Sequence, residues 1–224
     1  MKRVVIPELL DVDAGTPAEI AAALRDLRHI NASFGGVRTT TLMVAAVAGK
    51  LGVARLSLLE VAAGAGFVPQ AAAQEVARSG TELKVTLLDR AASHLNNGDG
   101  NGVGRVAADA LALPFCDGSF DLVSCCLFAH HLEPEQIVSF VNEGLRVARS
   151  AVLINDLVRS SLHLALSYVS LPLYRSRITH HDAPASVKRA YTVAEMREIL
   201  DATRVSRVDV QRHAIYRMGV VAWK

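Results

Sequence analysis

The chain has 224 residues, 51% of them hydrophobic and 21% charged, with a formal net charge of +2. This composition supports a substantial core and excludes a disordered chain. Charges of both signs are scattered, and no Lys/Arg stripe is interleaved with aromatics, which argues against a nucleic-acid partner. Cys116, Cys125 and Cys126 lack metal-ligand spacing, and an odd count argues against a disulfide framework. They read as small thiols of a reducing compartment, and no metal is expected. The N-terminal "MKRVVIPELLDVDAG" is too short in its apolar run for a signal peptide, and Lys50, Arg55 and Glu60 interrupt the most apolar region, 41–63. The expectation is a cytoplasmic protein without a membrane span.

Thr16-Pro17-Ala18-Glu19 has the composition of a helix start, with a capping threonine, a proline at the first helical position and a glutamate to close the box. Ile20, Leu24, Leu27 and Ile30 follow at helical spacing. A second helix is expected over about 39–51, ending at Gly52. From residue 56 onward strands and helices alternate: strand 56–62, helix 68–79, strand 83–89, a glycine-rich surface loop 96–104, and a short strand 105–109. Strand 120–126, helix 134–149 with Ile137, Val141 and Leu145 on one face, and strand 151–157 complete the series. Near-continuous hydrophobic strands between helices predict a parallel sheet buried on both faces. Residues 158–190 break the rhythm with a helix at 161–171 and then a polar stretch, "YRSRITHHDAPASVKRA". A capped helix at Thr192 and two closing strand-like segments predict a terminal hairpin, so one strand must run antiparallel.

The stretch "LLEVAAGAGFVPQ" (58–70) reads as a strand, a tight turn and a helix. Glycines at 64 and 66 allow close approach of a ligand to the backbone. A ligand-free strand-to-helix turn is the alternative. A dinucleotide fingerprint would need a third glycine where Pro69 stands, and Glu60 would repel a pyrophosphate. Asp89, ending the second strand, is placed to accept both hydroxyls of a ribose, or else to cap a helix at 91–95. Asp109 is placed for an adenine amine, with Ala110 and Leu111 against the ring.

"LLEVAAGAG", "ADALALPFCDGSFDLV" and "HHLEP" together resemble the motifs of the class I S-adenosylmethionine-dependent methyltransferases. The likeness is to the small-molecule type related to the ubiquinone/menaquinone enzymes (methyltransferase types 11 and 25), and it covers about 56–157. Residues 175–192 also resemble methyltransferases associated with type III polyketide synthase products. One departure is Ala62, which stands at the motif's first glycine. The resemblance implies an α/β, Rossmann-like sheet of seven strands, mostly parallel with one antiparallel, helices on both faces, an N-terminal helical cap and a lid insertion after the fifth strand. It implies one methyltransferase domain over 1–224: cap 1–52, cofactor core 56–157, lid 158–190, final helix and hairpin 191–224. S-adenosylmethionine would be the cofactor and S-adenosylhomocysteine its product. Glu60, Ala62, Gly64, Gly66, Asp89, Arg90, Asp109, Ala110, Leu111 and Leu127 would form the cofactor site.

Methyl transfer is an in-line displacement, and much of its gain comes from positioning. A base is needed only for a protonated nucleophile. His130 and His131 follow the fourth strand, and Asp156 ends the fifth, where it can orient an imidazole. In the alternative, one histidine caps the next helix and the other packs. His181 is a further candidate base, with His180, Arg175, Arg177, Phe34 and Phe128 as acceptor contacts; a solvated charged loop is the alternative for 174–190. The function expected is methylation of a small, hydrophobic phenolic or enolic acceptor, with oxygen favoured and carbon of an electron-rich ring as the alternative, by a monomer or homodimer. The rival readings are a nicotinamide-dependent oxidoreductase and a catalytically inactive S-adenosylmethionine-binding protein.

Overall fold

Seven strands lie in the order β3-β2-β1-β4-β5-β7-β6 in the computed structural model, which describes residues 1–12, 14–95 and 103–224. They are β1 (Arg55–Val61), β2 (Glu82–Asp89), β3 (Gly104–Ala107), β4 (Phe120–Cys126), β5 (Ala148–Leu157), β6 (Arg207–His213) and β7 (Arg217–Trp223). The first five pair in parallel, and β7 runs antiparallel to both β5 and β6. The expected Rossmann-like arrangement and its terminal hairpin are therefore present. The greater part of the predicted loop 96–104 lies outside the described residues.

Successive side chains of a strand point to opposite faces, and here both faces are buried. Leu58, Leu122 and Leu153 pack with Met43, Val44 and Val47 of α2 (Gly36–Leu51). Their neighbours Leu59, Val123 and Ile154 pack with Ile137, Phe140 and Val141 of α5 (Pro134–Val147) and with Met196 and Leu200 of α8 (Val193–Leu200). The predicted stripe Ile137, Val141, Leu145 is the buried face of α5.

The N-terminal cap begins with α1 (Pro17–Ser33). Its capping box is formed: Thr16 Oγ1 accepts from the Glu19 amide at 3.3 Å, and Glu19 Oε2 accepts from the Thr16 amide at 2.8 Å. The second helix starts at Gly36 rather than 39, because Gly35 at φ 81° turns the chain directly from α1 into α2. Helices α3 (Phe67–Arg78) and α4 (Ala92–Leu95) follow the first two strands.

The largest difference from expectation is in 174–190. After α6 (Ser161–Val169), this polar stretch forms α7 (Arg177–Arg189). Ser176 caps it, accepting from the Ile178 amide at 3.2 Å, and Ile178, Thr179, Asp182, Ala185 and Val187 are buried. Its inner face mixes apolar, hydroxyl and carboxylate groups, and Pro184 lies inside it, so neither periodicity nor propensity marks it in the sequence. α7 packs on α1 and α6. No helix among the described residues is long and apolar enough to cross a membrane.

Candidate active site

Strand order reverses between β1 and β4, and ligands of open α/β sheets bind beyond the strand ends at such a switch point. A cavity of about 1420 Å³ lies there. That exceeds the roughly 300–1,000 Å³ of a typical small-ligand pocket, so two molecules can sit side by side.

One end is the glycine turn. Ala62, Gly64 and Gly66 all have positive φ, at 53°, 51° and 73°. Gly66 admits no side chain, since a Cβ would stand 2.4 Å from Leu87 Cδ1; it sits beneath the loop as the cap residue of α3 rather than at the cavity wall. The Gly64 amide donates to Asp89 Oδ2 at 2.8 Å, and Asp89 Oδ1 accepts from the Ala91 amide at 2.9 Å. Each oxygen keeps a second lone pair for a hydroxyl. Asp109 Oδ1 accepts from the Leu111 amide at 2.9 Å, and its other oxygen has no such tie. Arg90, Asp109, Ala110, Leu111 and Leu127 all line this end.

Glu60 is buried, with the Ser124 hydroxyl as its hydrogen-bond partner. Burial pushes its carboxyl up to about 7, with Ser124 opposing. Arg217, only 1% exposed, lines the same cavity and has neutral partners: Asn31 Oδ1 at 2.9 Å, Asn155 Oδ1 at 3.4 Å and the Phe34 carbonyl at 3.3 Å. Among the described residues neither Glu60 nor Arg217 forms an ion pair. A buried carboxylate and a buried guanidinium without countercharges complement the ammonium and carboxylate of an amino-acid tail.

The other end holds the histidines. His130 and His131 form a 3₁₀ turn after β4, their ring centroids 4.2 Å apart. His130 Nδ1 lies 2.7 Å from Asp156 Oδ1, and its amide donates to Asp156 Oδ2 at 2.9 Å; Asp156 stands behind it, outside the lining. His131 Nδ1 lies 2.9 Å from Asp11 Oδ2, and its ring stacks on Phe128. Glu8 Oε1 approaches the Nε2 atoms of His130 and His131 at 3.4 and 3.8 Å. Burial by itself would lower the His130 pKa, but the charges of Asp156 and Glu8 outweigh it and raise the pKa to about 10. Burial would likewise raise Glu8 and Asp156, yet the facing imidazoles hold both carboxyls below their usual range.

The lid lines the remaining wall with Leu166, Val169, Leu173 and Ile178, and Phe34 and Phe128 line it from the core. The polar lid residues singled out in the sequence do not reach the cavity. Arg177 is exposed and paired with Glu19 at 2.5 Å, and Arg175 is exposed. His180 is exposed with Nε2 on the Tyr174 carbonyl at 3.0 Å, and His181 is exposed with Nδ1 on Asp182 Oδ1 at 2.8 Å. The reason is the helix: α7 turns Thr179, Asp182 and Ser186 inward and its two histidines outward. Asp182 instead accepts the amides of Leu9 and Leu10 at 2.8 and 3.0 Å, tying down the N-terminal segment that carries Glu8.

Sequence reasoning missed Glu8, Asp11, Asn31, Asn155 and Arg217. Glu8, Asp11, Asn31 and Arg217 meet the site from far along the chain and stand in no local motif; Asn155 lies beside Asp156 in β5 and, being uncharged, carries no mark of its own.

Residues 58–151 match the family model described as a methyltransferase domain. None of the curated proteins matches the chain in sequence. Solved structures share the fold. One is a SAM-dependent methyltransferase from Aquifex aeolicus, at 21% identity over 75% of this chain and 81% of that one, with a TM-score of 0.54. Another is magnesium protoporphyrin IX methyltransferase from Synechocystis. With bound S-adenosylhomocysteine it gives 18% identity over 85% and 84% of the two chains and a TM-score of 0.55. With bound S-adenosylmethionine it gives 14% identity, 85% and 80% coverage and a TM-score of 0.53.

Proposed function

We propose that this chain, whose residues 58–151 are a class I S-adenosylmethionine-dependent methyltransferase domain, methylates a phenolic or enolic oxygen of a small hydrophobic molecule. The observation that carries this reading is one cavity with a nucleoside-and-amino-acid end, a histidine–carboxylate end and an apolar lid between them. In this reading residues 1–224 act as one unit of cap, core, lid and hairpin.

When bound, S-adenosylmethionine supplies an activated methyl on a sulfonium. Asp89 and Asp109 hold its nucleoside, and Glu60 and Arg217 hold its amino-acid tail. Leu166, Val169, Leu173 and Ile178 of the lid take the acceptor's hydrocarbon body. The acceptor hydroxyl meets Glu8 and His131 at the far end. Asp11 fixes the His131 ring, leaving Nε2 toward Glu8, in the manner of a carboxylate-oriented catalytic imidazole. His130, held as a cation by Asp156 and Glu8, is a poor base at neutral pH and serves to stabilise negative charge on the acceptor. A proton acceptor at this end suits a protonated hydroxyl as the nucleophile.

Calorimetry with S-adenosylhomocysteine and with NADH tests the cofactor. Binding of NADH alone would defeat the reading. Labelled methyl transfer to phenols, pyrones and quinols, with the product's methylated atom assigned by NMR, tests the acceptor; a methyl on carbon would refute the oxygen assignment. His131→Ala should lower kcat by about 10²–10⁴-fold with S-adenosylhomocysteine affinity unchanged. His181→Ala, on the outer face of α7, should stay within about twofold of the parent.

A further inference from the structure

We propose that Glu8, His130 and His131 bind one divalent transition-metal cation at the acceptor end of the cavity. The three side chains offer ligand atoms that all lie within 4.8 Å of one another. Glu8 Oε1 stands 3.4 Å from His130 Nε2 and 3.8 Å from His131 Nε2. Ligands of a tetrahedral ion with bonds of about 2.0–2.1 Å are about 3.3–3.4 Å apart, so a small inward movement closes the shell.

Two further observations point to a ligand. Among the described residues, Glu8 Oε1 and His130 Nε2 are buried with no hydrogen-bond partner beyond their own 3.4 Å contact, in residues 8% and 2% exposed. Buried polar atoms are rarely left so, and these two face each other. Both imidazoles also have their Nδ1 atoms engaged by carboxylates, His130 by Asp156 at 2.7 Å and His131 by Asp11 at 2.9 Å. That arrangement fixes the tautomer with the Nε2 lone pair directed at the shared space, which is how metal-ligating histidines are held.

Two imidazoles and one carboxylate suit zinc, iron(II), cobalt or manganese rather than magnesium, which prefers oxygen ligands and water. Three protein ligands leave a position open, and Asp11, Ser186 and Leu132 line the cavity around it. The site stands on this geometry alone; its part in the reaction rests on the methyl-transfer reading above. With the cation bound, His131 Nε2 is a ligand and not the base; the acceptor hydroxyl coordinates at the open position and releases its proton to solvent, because the cation lowers its pKa. The oxygen lone pair then forms the new O–C bond as the C–S bond breaks. Sulfur keeps the electron pair and becomes a neutral thioether.

The test uses untagged full-length protein dialysed against a chelator, then titrated with Zn²⁺ and with Co²⁺. One metal per chain by elemental analysis after gel filtration is expected, together with the visible absorption of cobalt in a nitrogen–oxygen site. Glu8→Gln and the partly exposed His131→Gln should each weaken binding by at least about 100-fold. S-adenosylhomocysteine affinity, measured on the same samples, should stay unchanged and reports that each variant is folded. Absence of stoichiometric metal in the parent would overturn the site and leave Glu8 and His130 as a plain ion pair. Equal metal uptake by the parent and both variants would overturn it as well. Metal binding without S-adenosylhomocysteine binding would sustain the site and remove the methyl-transfer reading, so the two stand or fall separately.

Discussion

The nucleoside part of the cavity's cofactor end is tied together locally; its amino-acid part, where Arg217 reaches Asn31 across 186 residues, and the acceptor end are not. The bond from Gly64 to Asp89 spans 25 residues, and the loop and the strand that holds it are sequence neighbours in one β-α-β unit. At the acceptor end, Leu9 reaches Asp182 across 173 residues, and Arg3 reaches Glu133 across 130. Local closure costs little chain entropy and needs few partners, whereas distant closure depends on each tether. The contrast teaches that the nucleoside part of the cofactor end belongs to the rigid sheet. The acceptor end is an assembly that single tethers can undo.

Asp182→Ala should produce the largest effect. It removes two charge-assisted bonds to the backbone of Leu9 and Leu10, each worth about 1.5–3 kcal/mol. Freed, the N-terminal segment carries Glu8 away from His130 and His131. Turnover should fall by about 10² or more while S-adenosylhomocysteine affinity holds. Equal losses of both would break the contrast, because they would show the two ends to be one cooperative unit.

Gly66→Ala strikes the other end. The added Cβ meets Leu87 Cδ1 at 2.4 Å and Gln70 Nε2 at 2.9 Å, at φ +73°. Overpacking and left-handed strain together should cost about 3 kcal/mol in urea denaturation. Gly64→Ala, at φ +51° with nothing within 4 Å, carries only the strain and should cost about 1 kcal/mol. Similar losses for the two would show that Leu87 yields freely and that the loop is less rigid than the contrast requires.

Glu60 gives a pH dependence with a definite sign. Its folded carboxyl holds its proton up to about 7, above the ordinary 4.5, because burial disfavours the charge. Stability of the ligand-free protein should therefore fall as pH rises from about 4.5 to 7, by on the order of 3 kcal/mol. An ammonium on Glu60 requires the ionised form, so S-adenosylhomocysteine should bind more tightly as pH rises toward 7 and then level off. Glu60→Gln should flatten both curves and weaken binding. Calorimetry across pH 5 to 8 reads the result, and an unchanged pH profile in the variant would take the amino-acid tail away from Glu60.

How much was legible follows the same division. The sheet, its hairpin, the α5 stripe and the glycine turn stand in local patterns of alternation, spacing and capping. Asp89 stands out because it ends a strand, and Asp109 because it follows one within two residues. Glu8 does not, since "VVIPELL" has no period and its partner lies beyond residue 129. Arg217 has no local mark in the sequence, and only the folded chain shows it 1% exposed among neutral amides. The "THHDAP" stretch misled in the opposite direction. Its histidines suggested chemistry, while its aspartate does the structural work and the helix turns the histidines to solvent.

The smallest expected effect tests the loop's departure from glycine. Ala62 stands at φ 53°, where a Cβ costs about 1 kcal/mol relative to glycine. Ala62→Gly relieves that strain but frees the unfolded chain, at a cost of about 0.4–1 kcal/mol. The two terms nearly cancel, so stability should rise by no more than about 0.5 kcal/mol, with the loop held by Ala63 donating to the Leu88 carbonyl at 3.0 Å. S-adenosylhomocysteine affinity should change as little, because Ala62 meets the cavity with one methyl. A loss above about 1 kcal/mol would mean that this methyl packs against something the loop needs. The cofactor end would then depend on a residue its own motif does not call for, and local closure alone would no longer explain its rigidity.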